Sequence, residues 1–278
     1  MSNNIFFERG QMADKPNNYL WNGDCLELMK DIPDKSIDAI ICDLPYGVTN
    51  CKWDILIPFE LLWNEYNRIA KEDAPIILFG TEPFSSKMRL SNFDNFKYDW
   101  IWHKNQPSNF ANAKRMPMSV YEIASVFYRK QPTYNNIKEL RDTTSESRNR
   151  YKYKMSLGTG TAKHTNIKNV RPEVKDIDYR NATNLKYFKT VPNAKKIHTS
   201  QKPIELLNYL IETYTNENDW VLDNTCGSNT TGIACYDLNR NYIGIEKDID
   251  IYNVAKKRVE KNILLRANEQ QTLFKDRP

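Results

Sequence analysis

The chain has 278 residues, of which 40 are Lys or Arg, 35 are Asp or Glu, and 40% are hydrophobic. This length fits one α/β domain with an insertion, or two small domains. No run approaches the roughly 18 apolar residues that cross a bilayer, and the first residues lack the basic-then-apolar layout of a signal peptide. We therefore expect a cytoplasmic protein without a membrane partner.

The cysteines and histidines argue against a metal centre. The five cysteines are odd in number and form no Cys-x-x-Cys pair, and the three histidines are scattered along the chain. This pattern predicts reduced thiols and neither a disulfide framework nor a metal site.

Positive charge is concentrated in the middle of the chain. Residues 129–196 contain 17 Lys and Arg against 6 Asp and Glu, a net charge of +11, whereas the remainder has a net charge of −6. Tyrosines, asparagines and threonines are interleaved with these cations, a mixture typical of a surface that binds a polyanion and contacts bases. The segment predicts a nucleic-acid-binding insertion, although a solvated or partly disordered insertion would have a similar composition.

The predicted elements alternate between short buried strands and amphipathic helices. In chain order they are strands at 19–21 and 37–42, a helix at 59–71, a strand at 74–80, a helix at 82–91, strands at 98–102 and within 119–129, a helix that starts at Pro203, a strand at 220–223, a helix that begins near Thr230, a strand at 241–245 and a helix at about 248–265. Such alternation predicts an α/β fold.

The tetrapeptide Asp43-Leu44-Pro45-Tyr46 follows the second predicted strand, at the sheet edge where open α/β folds bind ligands. Pro45 restrains Leu44 to extended geometry. The Asp43 carboxylate and the Leu44 carbonyl then offer two acceptors for an amino group, and Tyr46 offers a face on which a planar ring can stack. Adenine and cytosine are rings of this kind. The alternative interpretation is a turn that merely closes the strand.

A second candidate site lies near the C-terminus. The strand that ends at Asp223 leads through a loop of small residues to a helix and to a strand that ends at Glu246, 23 residues beyond Asp223. This is the layout of a nucleoside-binding unit, in which the second acid can accept both ribose hydroxyls. Asn229 stands where a second glycine is expected, and Asn tolerates left-handed geometry. The alternative is a purely structural turn.

With both sites in this order, the chain resembles a DNA amino-methyltransferase of the beta group, in particular the bacterial and phage site-specific adenine methyltransferases. The resemblance covers roughly residues 19–130 and 196–264. It implies a doubly wound, Rossmann-like methyltransferase sheet that is circularly permuted. Residues 1–128 would form the catalytic half, 129–196 a basic target-recognition region and 197–278 the half that binds S-adenosylmethionine.

The resemblance also implies roles for individual residues. The catalytic motif would be Asp43, Leu44, Pro45 and Tyr46, although the family usually has proline where Leu44 stands. Asp24, which local sequence favours as a helix cap, lies in a segment that resembles an adenosine contact. The residues expected to bind S-adenosylmethionine are Asp24, Asp43, Thr199, Ser200, Lys202, Asp223, Thr225, Cys226, Gly227, Ser228, Asn229, Thr230, Glu246 and Lys247. Thr225 and Asn229 depart from the family loop, which has an aromatic residue or glycine there.

The implied reaction is transfer of a methyl group from S-adenosylmethionine to the N6 amino group of adenine in double-stranded DNA, after the base is flipped out. Three alternatives stay open: transfer to N4 of cytosine, transfer to RNA or a protein amide, and a DNA-binding module without activity. A homodimer and a restriction endonuclease partner are also left open by the resemblance.

Overall fold

The computed structural model describes residues 18–47, 54–140, 179–192, 194, 196–197 and 201–275, with side chains up to residue 262. Thr199 and Ser200, both predicted to bind the cofactor, lie outside the described residues, as does most of the predicted target-recognition region.

The described residues form strands and helices with the following bounds. The strands are β1 (Asn18–Asn22), β2 (Ala39–Cys42), β3 (Ile76–Gly80), β4 (Phe96–Ser108), β5 (Ser119–Phe127), β6 (Glu139–Leu140), β7 (Tyr179–Arg180), β8 (Leu185–Tyr187), β9 (Trp220–Asp223) and β10 (Asn241–Glu246). The helices are α1 (Cys25–Leu28), α2 (Phe59–Ile69), α3 (Phe84–Ser91), α4 (Ile204–Tyr214), α5 (Thr230–Asp237) and α6 (Ile249–Lys275). Short 3-10 helices span Met29–Asp31 and Phe110–Asn112.

The main sheet has the strand order β1-β10-β9-β2-β3-β5-β4-β8. Its first five strands are parallel, and β5 is antiparallel to both β3 and β4. β2 lies beside β9, with Ala39 opposite Val221. The carboxyl ends of β2, β9 and β10 therefore meet at one edge, although the strands are far apart in sequence. This mostly parallel sheet confirms the predicted α/β fold class.

The buried strands and helices follow from their apolar patterns. All four residues of β2 and all five of β3 are buried, as expected for strands covered on both faces. In α2 the buried residues are Leu62, Trp63, Tyr66 and Ile69, one stripe at helical spacing. This packing fixes β2 in the centre of the sheet and thereby positions the residues that follow it.

The clearest differences from the predicted elements concern β4 and α6. β4 continues to Ser108, well beyond the predicted end at residue 102, and α6 continues to Lys275. Residues 104–108 are polar and include Pro107, a pattern that does not predict a strand. They nevertheless belong to β4, whose pairing with β5 shifts register between His103 and Ser108. Such an irregularity accommodates a proline that has no N–H to donate.

The chain divides into two compact units, one formed by Met1–Asn135 and Asn184–Pro278 and the other by Asn136–Thr183. The first unit contains the main sheet and both candidate sites. In the described part of the second, β6 and β7 pair antiparallel, and Arg180 bonds to Glu139. Target recognition by the region 129–196 stays a prediction. Among the described helices, none combines the length and apolarity needed to cross a membrane.

Candidate active site

A cavity of about 560 Å³ lies at the carboxyl edge of the main sheet, within the usual range for small-molecule sites. It is bordered by the segments that follow β1, β2, β9 and β10. Twelve of the predicted site residues line it: Asp24, Asp43, Pro45, Lys202, Asp223, Thr225, Cys226, Gly227, Ser228, Thr230, Glu246 and Lys247. The fold thus brings residues from both halves of the chain to one cavity.

Of the predicted site residues that the structure describes, three do not line this cavity. The Leu44 side chain packs in the hydrophobic core, and Tyr46 packs beside that core. Asn229 is fully buried below the loop, where its backbone has φ of 59°. The left-handed geometry predicted for Asn229 is confirmed, and its part in the site is to shape the turn that begins α5.

Two buried carboxylates hold the loop between β9 and α5. Asp223 Oδ2 accepts a hydrogen bond from the Thr231 hydroxyl at 2.6 Å, and Oδ1 accepts one from the Thr225 amide at 3.3 Å. Glu246 Oε2 accepts from the Gly227 amide at 3.0 Å. Burial raises the pKa of Asp223 to about 7, despite the hydrogen bonds that act to lower it, and burial also raises the pKa of Glu246.

The segment after β1 completes this end of the cavity. The Asn22 side chain and the Gly23 amide both donate to the Glu246 carbonyl, at 2.8 and 3.0 Å. Asp24 caps α1 by accepting from the Leu26 amide at 3.0 Å, and it also forms an ion pair with Lys247 at 3.0 Å. Partial burial acts to raise the pKa of Asp24, but Lys247 and the cap lower it overall. Asp24 is therefore both a helix cap and a lining residue.

At the other end of the cavity, both carboxylate oxygens of Asp43 have partners. Oδ1 accepts from the Tyr46 hydroxyl at 2.6 Å, and Oδ2 lies 2.5 Å from Lys202 Nζ. The Thr225 hydroxyl donates to the Asp43 carbonyl at 3.1 Å, which connects the loop after β9 directly to the tetrapeptide after β2. The Tyr46 ring packs against Phe84, with ring centroids 4.8 Å apart. These contacts fix the orientation of both Asp43 and Tyr46.

Lys202 belongs to a row of alternating charges that the sequence did not predict. We name this row the charge chain; its members are Asp43, Lys202, Glu122 and Lys104. The Lys202 ammonium also lies 3.1 Å from Glu122 Oε2, and Glu122 Oε1 lies 3.2 Å from Lys104 Nζ. Burial acts to lower the pKa of Lys202, but Asp43 and Glu122 raise it above its ordinary value. Burial acts to raise the pKa of Glu122, but Lys202 and Lys104 lower it overall. Lys202 and Glu122 are therefore both charged at neutral pH.

Asn224 is a further residue that the sequence reasoning missed. It lines the cavity, and its side-chain oxygen accepts from the Tyr66 hydroxyl at 2.6 Å and from the Cys42 thiol at 2.8 Å. Its position directly after Asp223 could have identified Asn224 as a site residue from the sequence. For Glu122, the signal was an acid directly before the buried second half of β5, residues 123–127.

The charges of the cavity fit S-adenosylmethionine, which carries a cationic sulfonium and an ammonium group beside one carboxylate. Five acids line the cavity against two lysines: Asp24, Asp43, Asp223, Glu246, Asp248, Lys202 and Lys247. Such a surface disfavours a polyphosphate and favours a ligand with net positive charge. Residues 55–58 and Ile251 add apolar contacts suited to an adenine ring.

The fold and this cavity define an α/β methyltransferase in which the segments after β2 and β9 meet at one sheet edge. The chain belongs to a DNA methylase family, whose model matches residues 37–257. It is a DNA methyltransferase that uses S-adenosylmethionine. The predicted family, fold class, enzyme class and cofactor are thus confirmed, and DNA is the macromolecule on which it acts.

Relatives and solved structures agree with this assignment. The Type II methyltransferase M.HinfI of Haemophilus influenzae is 29% identical over 87% of this chain and 68% of that protein. The DNA adenine methyltransferase YhdJ of Escherichia coli is 26% identical over 86% of this chain and 81% of that protein.

Two solved structures show the same fold. The complex of M1.HpyAVI with SAM has a TM-score of 0.57 and 26% identity, and covers 86% of this chain and 98% of that chain. The PvuII cytosine-N4-specific DNA methyltransferase has a TM-score of 0.63 over 93% of this chain and 92% of that chain. At 16% identity, it supports the fold alone.

Proposed function

We propose that the protein methylates the N6 amino group of adenine in double-stranded DNA at a specific sequence, as the modification enzyme of a restriction-modification system. The observation that carries the proposal is the position of Asp43 at the rim of the cofactor cavity, fixed by Tyr46, Lys202 and Thr225. The relative named as an adenine methyltransferase supports adenine over cytosine. Action in the bacterial cytoplasm, homodimer formation and an endonuclease partner belong to the same proposal.

The cavity residues divide the binding of S-adenosylmethionine between two ends. Asp24 and Glu246 offer acceptors to the hydroxyls of the adenosyl group, and the Gly227 loop leaves space beside them. Asp223 offers a carboxylate to the cationic end, and Lys202 offers an ammonium to the carboxylate of the methionyl group. When bound, the cofactor supplies an electrophilic methyl group on its sulfonium.

Asp43 and the Leu44 carbonyl would bind the two N–H groups of the adenine amine. A carboxylate is too weak a base to deprotonate an aromatic amine before the reaction. By accepting these hydrogen bonds, it localises the nitrogen lone pair and stabilises the positive charge that develops on nitrogen. The Tyr46 ring would stack on the flipped base, which offsets much of the few kcal/mol that flipping costs.

Lys202 makes it feasible for Asp43 to accept a new partner. The adenine amine must compete for an Asp43 oxygen that now contacts the ammonium at 2.5 Å. Because Lys202 also contacts Glu122, it can release Asp43 without being left as an unpaired buried charge. The charge chain thereby permits exchange at Asp43 at a modest energetic cost.

Methyl-labelled S-adenosylmethionine and duplex DNA from several unrelated genomes test the proposal. After incubation, the DNA is digested to nucleosides and these are separated. We expect label on deoxyadenosine. Label on deoxycytidine would retain the mechanism and overturn the base assignment, whereas no label on DNA from protein that demonstrably binds the cofactor would contradict the proposed function.

A further inference from the structure

β4 and β5 continue beyond the sheet edge that carries Asp43. The last residue of β3, Gly80, lies opposite Ile123, but pairing between β4 and β5 continues to Ser108 and Ser119. At a rise of about 3.3 Å per residue, the four residue steps of β5 from Ile123 to Ser119 extend the pair roughly 13 Å beyond the end of β3. We name residues 104–121 the projecting hairpin. It lies in the same compact unit as the active site.

The surface of the projecting hairpin is apolar and cationic. Its exposed large apolar residues are Phe110, Met116, Met118, Val120 and Tyr121. The hairpin contains three cations and no Asp or Glu. Lys114 and Arg115 are exposed, and neither forms an ion pair with any other described residue. An apolar tip with adjacent unpaired cations is complementary to the bases and phosphates of a polyanion.

The base of the hairpin lies directly beside the catalytic group. Glu122 is the residue after the hairpin, and a single ammonium, that of Lys202, contacts both Glu122 and Asp43. A duplex that delivers a base to Asp43 must therefore pass next to the hairpin. Flipping the base leaves a gap in the stack, and proteins commonly insert an apolar side chain at a disrupted base step.

We propose that the projecting hairpin is a DNA wedge: Phe110 enters the duplex beside the flipped target base, while Lys114 and Arg115 contact the flanking phosphates. Phe110 is 67% exposed and lies at the turn of the hairpin, where it begins the 3-10 helix. This inference rests on the proposed function, because it takes the partner to be the duplex whose base is methylated.

Phe110→Ala and Phe93→Ala form a matched pair for the test. Phe93 is 65% exposed and lies before the start of β4, at the opposite end of the strand from Phe110. With genomic duplex DNA and labelled S-adenosylmethionine, we expect Phe110→Ala to lower kcat/KM for DNA by about tenfold or more. The KM for the cofactor should not change, Phe93→Ala should resemble the wild type, and Phe110→Trp should restore activity. Equal effects of the two alanine variants would overturn the wedge.

A second variant tests the phosphate contacts by binding alone. The Lys114→Ala/Arg115→Ala double variant should reduce the slope of log affinity against log salt by about 2 for a fluorescent mixed-sequence duplex. Lys97→Ala, at the start of β4, should leave the slope unchanged. This binding test does not require methyl transfer, so failure of the hairpin proposal is distinguishable from failure of the proposed function. If the wild type formed a dimer that Phe110→Ala abolished while DNA affinity stayed unchanged, the hairpin would instead bind a second copy of the chain.

Discussion

The carboxylates at the two ends of the cavity are stabilised in different ways. At the proposed cofactor end, Asp24 is paired with Lys247. Among the described residues, however, Asp223 and Glu246 accept only from neutral donors, namely backbone amides and a threonine hydroxyl. At the catalytic end, Asp43 and Glu122 contact ammonium groups of Lys202 and Lys104. Burial consequently raises the pKa of Asp223 and Glu246, whereas the two lysines more than cancel the effect of burial on the pKa of Glu122.

Under the proposed function, we expect this difference to separate ligand binding from chemistry. Neutral donors leave the negative potential of Asp223 and Glu246 largely uncompensated, and a cationic ligand can supply the missing charge. Asp43, the proposed catalytic carboxylate, is already compensated by Lys202, so its burial is tolerated without a ligand. The cofactor end would therefore gain most from a bound cation, and the catalytic end would depend on the protein's own ion pairs.

Replacement of the catalytic carboxylate should separate the two ends most strongly. Asp43→Ala should lower the single-turnover rate of methyl transfer by about 10²- to 10³-fold or more, because the developing charge on the amine loses its acceptor. Cofactor affinity, measured by calorimetry, should change little, since Lys202 keeps Glu122 as a partner. A comparable loss of rate and of cofactor affinity would contradict this division.

Asp223→Asn tests the uncompensated end through pH. Because burial raises the pKa of Asp223 from its ordinary 3.8 to about 7, the folded protein binds this proton more tightly than the unfolded chain does. Its contribution to stability is fully present below the unfolded pKa and is lost as pH rises to about 7.

The asparagine side chain does not titrate. As pH rises from 5 to 8, the wild type should therefore lose about 3 kcal/mol of unfolding free energy relative to the variant. Urea unfolding at each pH measures this difference. A difference between the two proteins that stays constant with pH would show that Asp223 is not the titrating group.

The cofactor end is also the end that sequence patterns describe well. β9, the loop and β10 follow one another within 27 residues, so local apolar periodicity and the acids at the strand ends were enough to place Asp223 and Glu246 at the site. β2 and Asp43 were placed by the same logic. These features are encoded by neighbouring residues, which is why they could be predicted.

The catalytic end depends on pairings between distant segments. Lys202 and Glu122 are 80 residues apart, and neither the contact of Lys104 with Glu122 nor that of Tyr46 with Phe84 follows from any local pattern. The length of β4 was missed for the same reason, since its polar outer residues form a strand only because β5 pairs with them. The charge chain and the projecting hairpin emerge only from the tertiary structure.

Glu122→Gln tests whether the charge chain is a structural necessity. Glu122 lies between Lys202 and Lys104, and its side chain is only 17% exposed. Loss of its charge leaves Lys104 without its ionic partner in a buried position, so we expect the free energy of unfolding to fall by about 2 kcal/mol, as measured by urea unfolding. The rate of methyl transfer should also fall, because Lys202 would then be held by Asp43 alone and would release it less readily.

Glu72→Gln provides the matched control. Glu72 also lies between two cations, Lys35 at 2.8 Å and Arg129 at 3.7 Å, but its side chain is 49% exposed. Water screens such a pair, so its loss should leave both stability and methyl transfer nearly unchanged. If Glu122→Gln and Glu72→Gln had equal effects, burial would not distinguish the two glutamates. The contrast between Asp43 and Glu122, which lysines compensate, and Asp223 and Glu246, which have neutral donors, would then lose its physical basis.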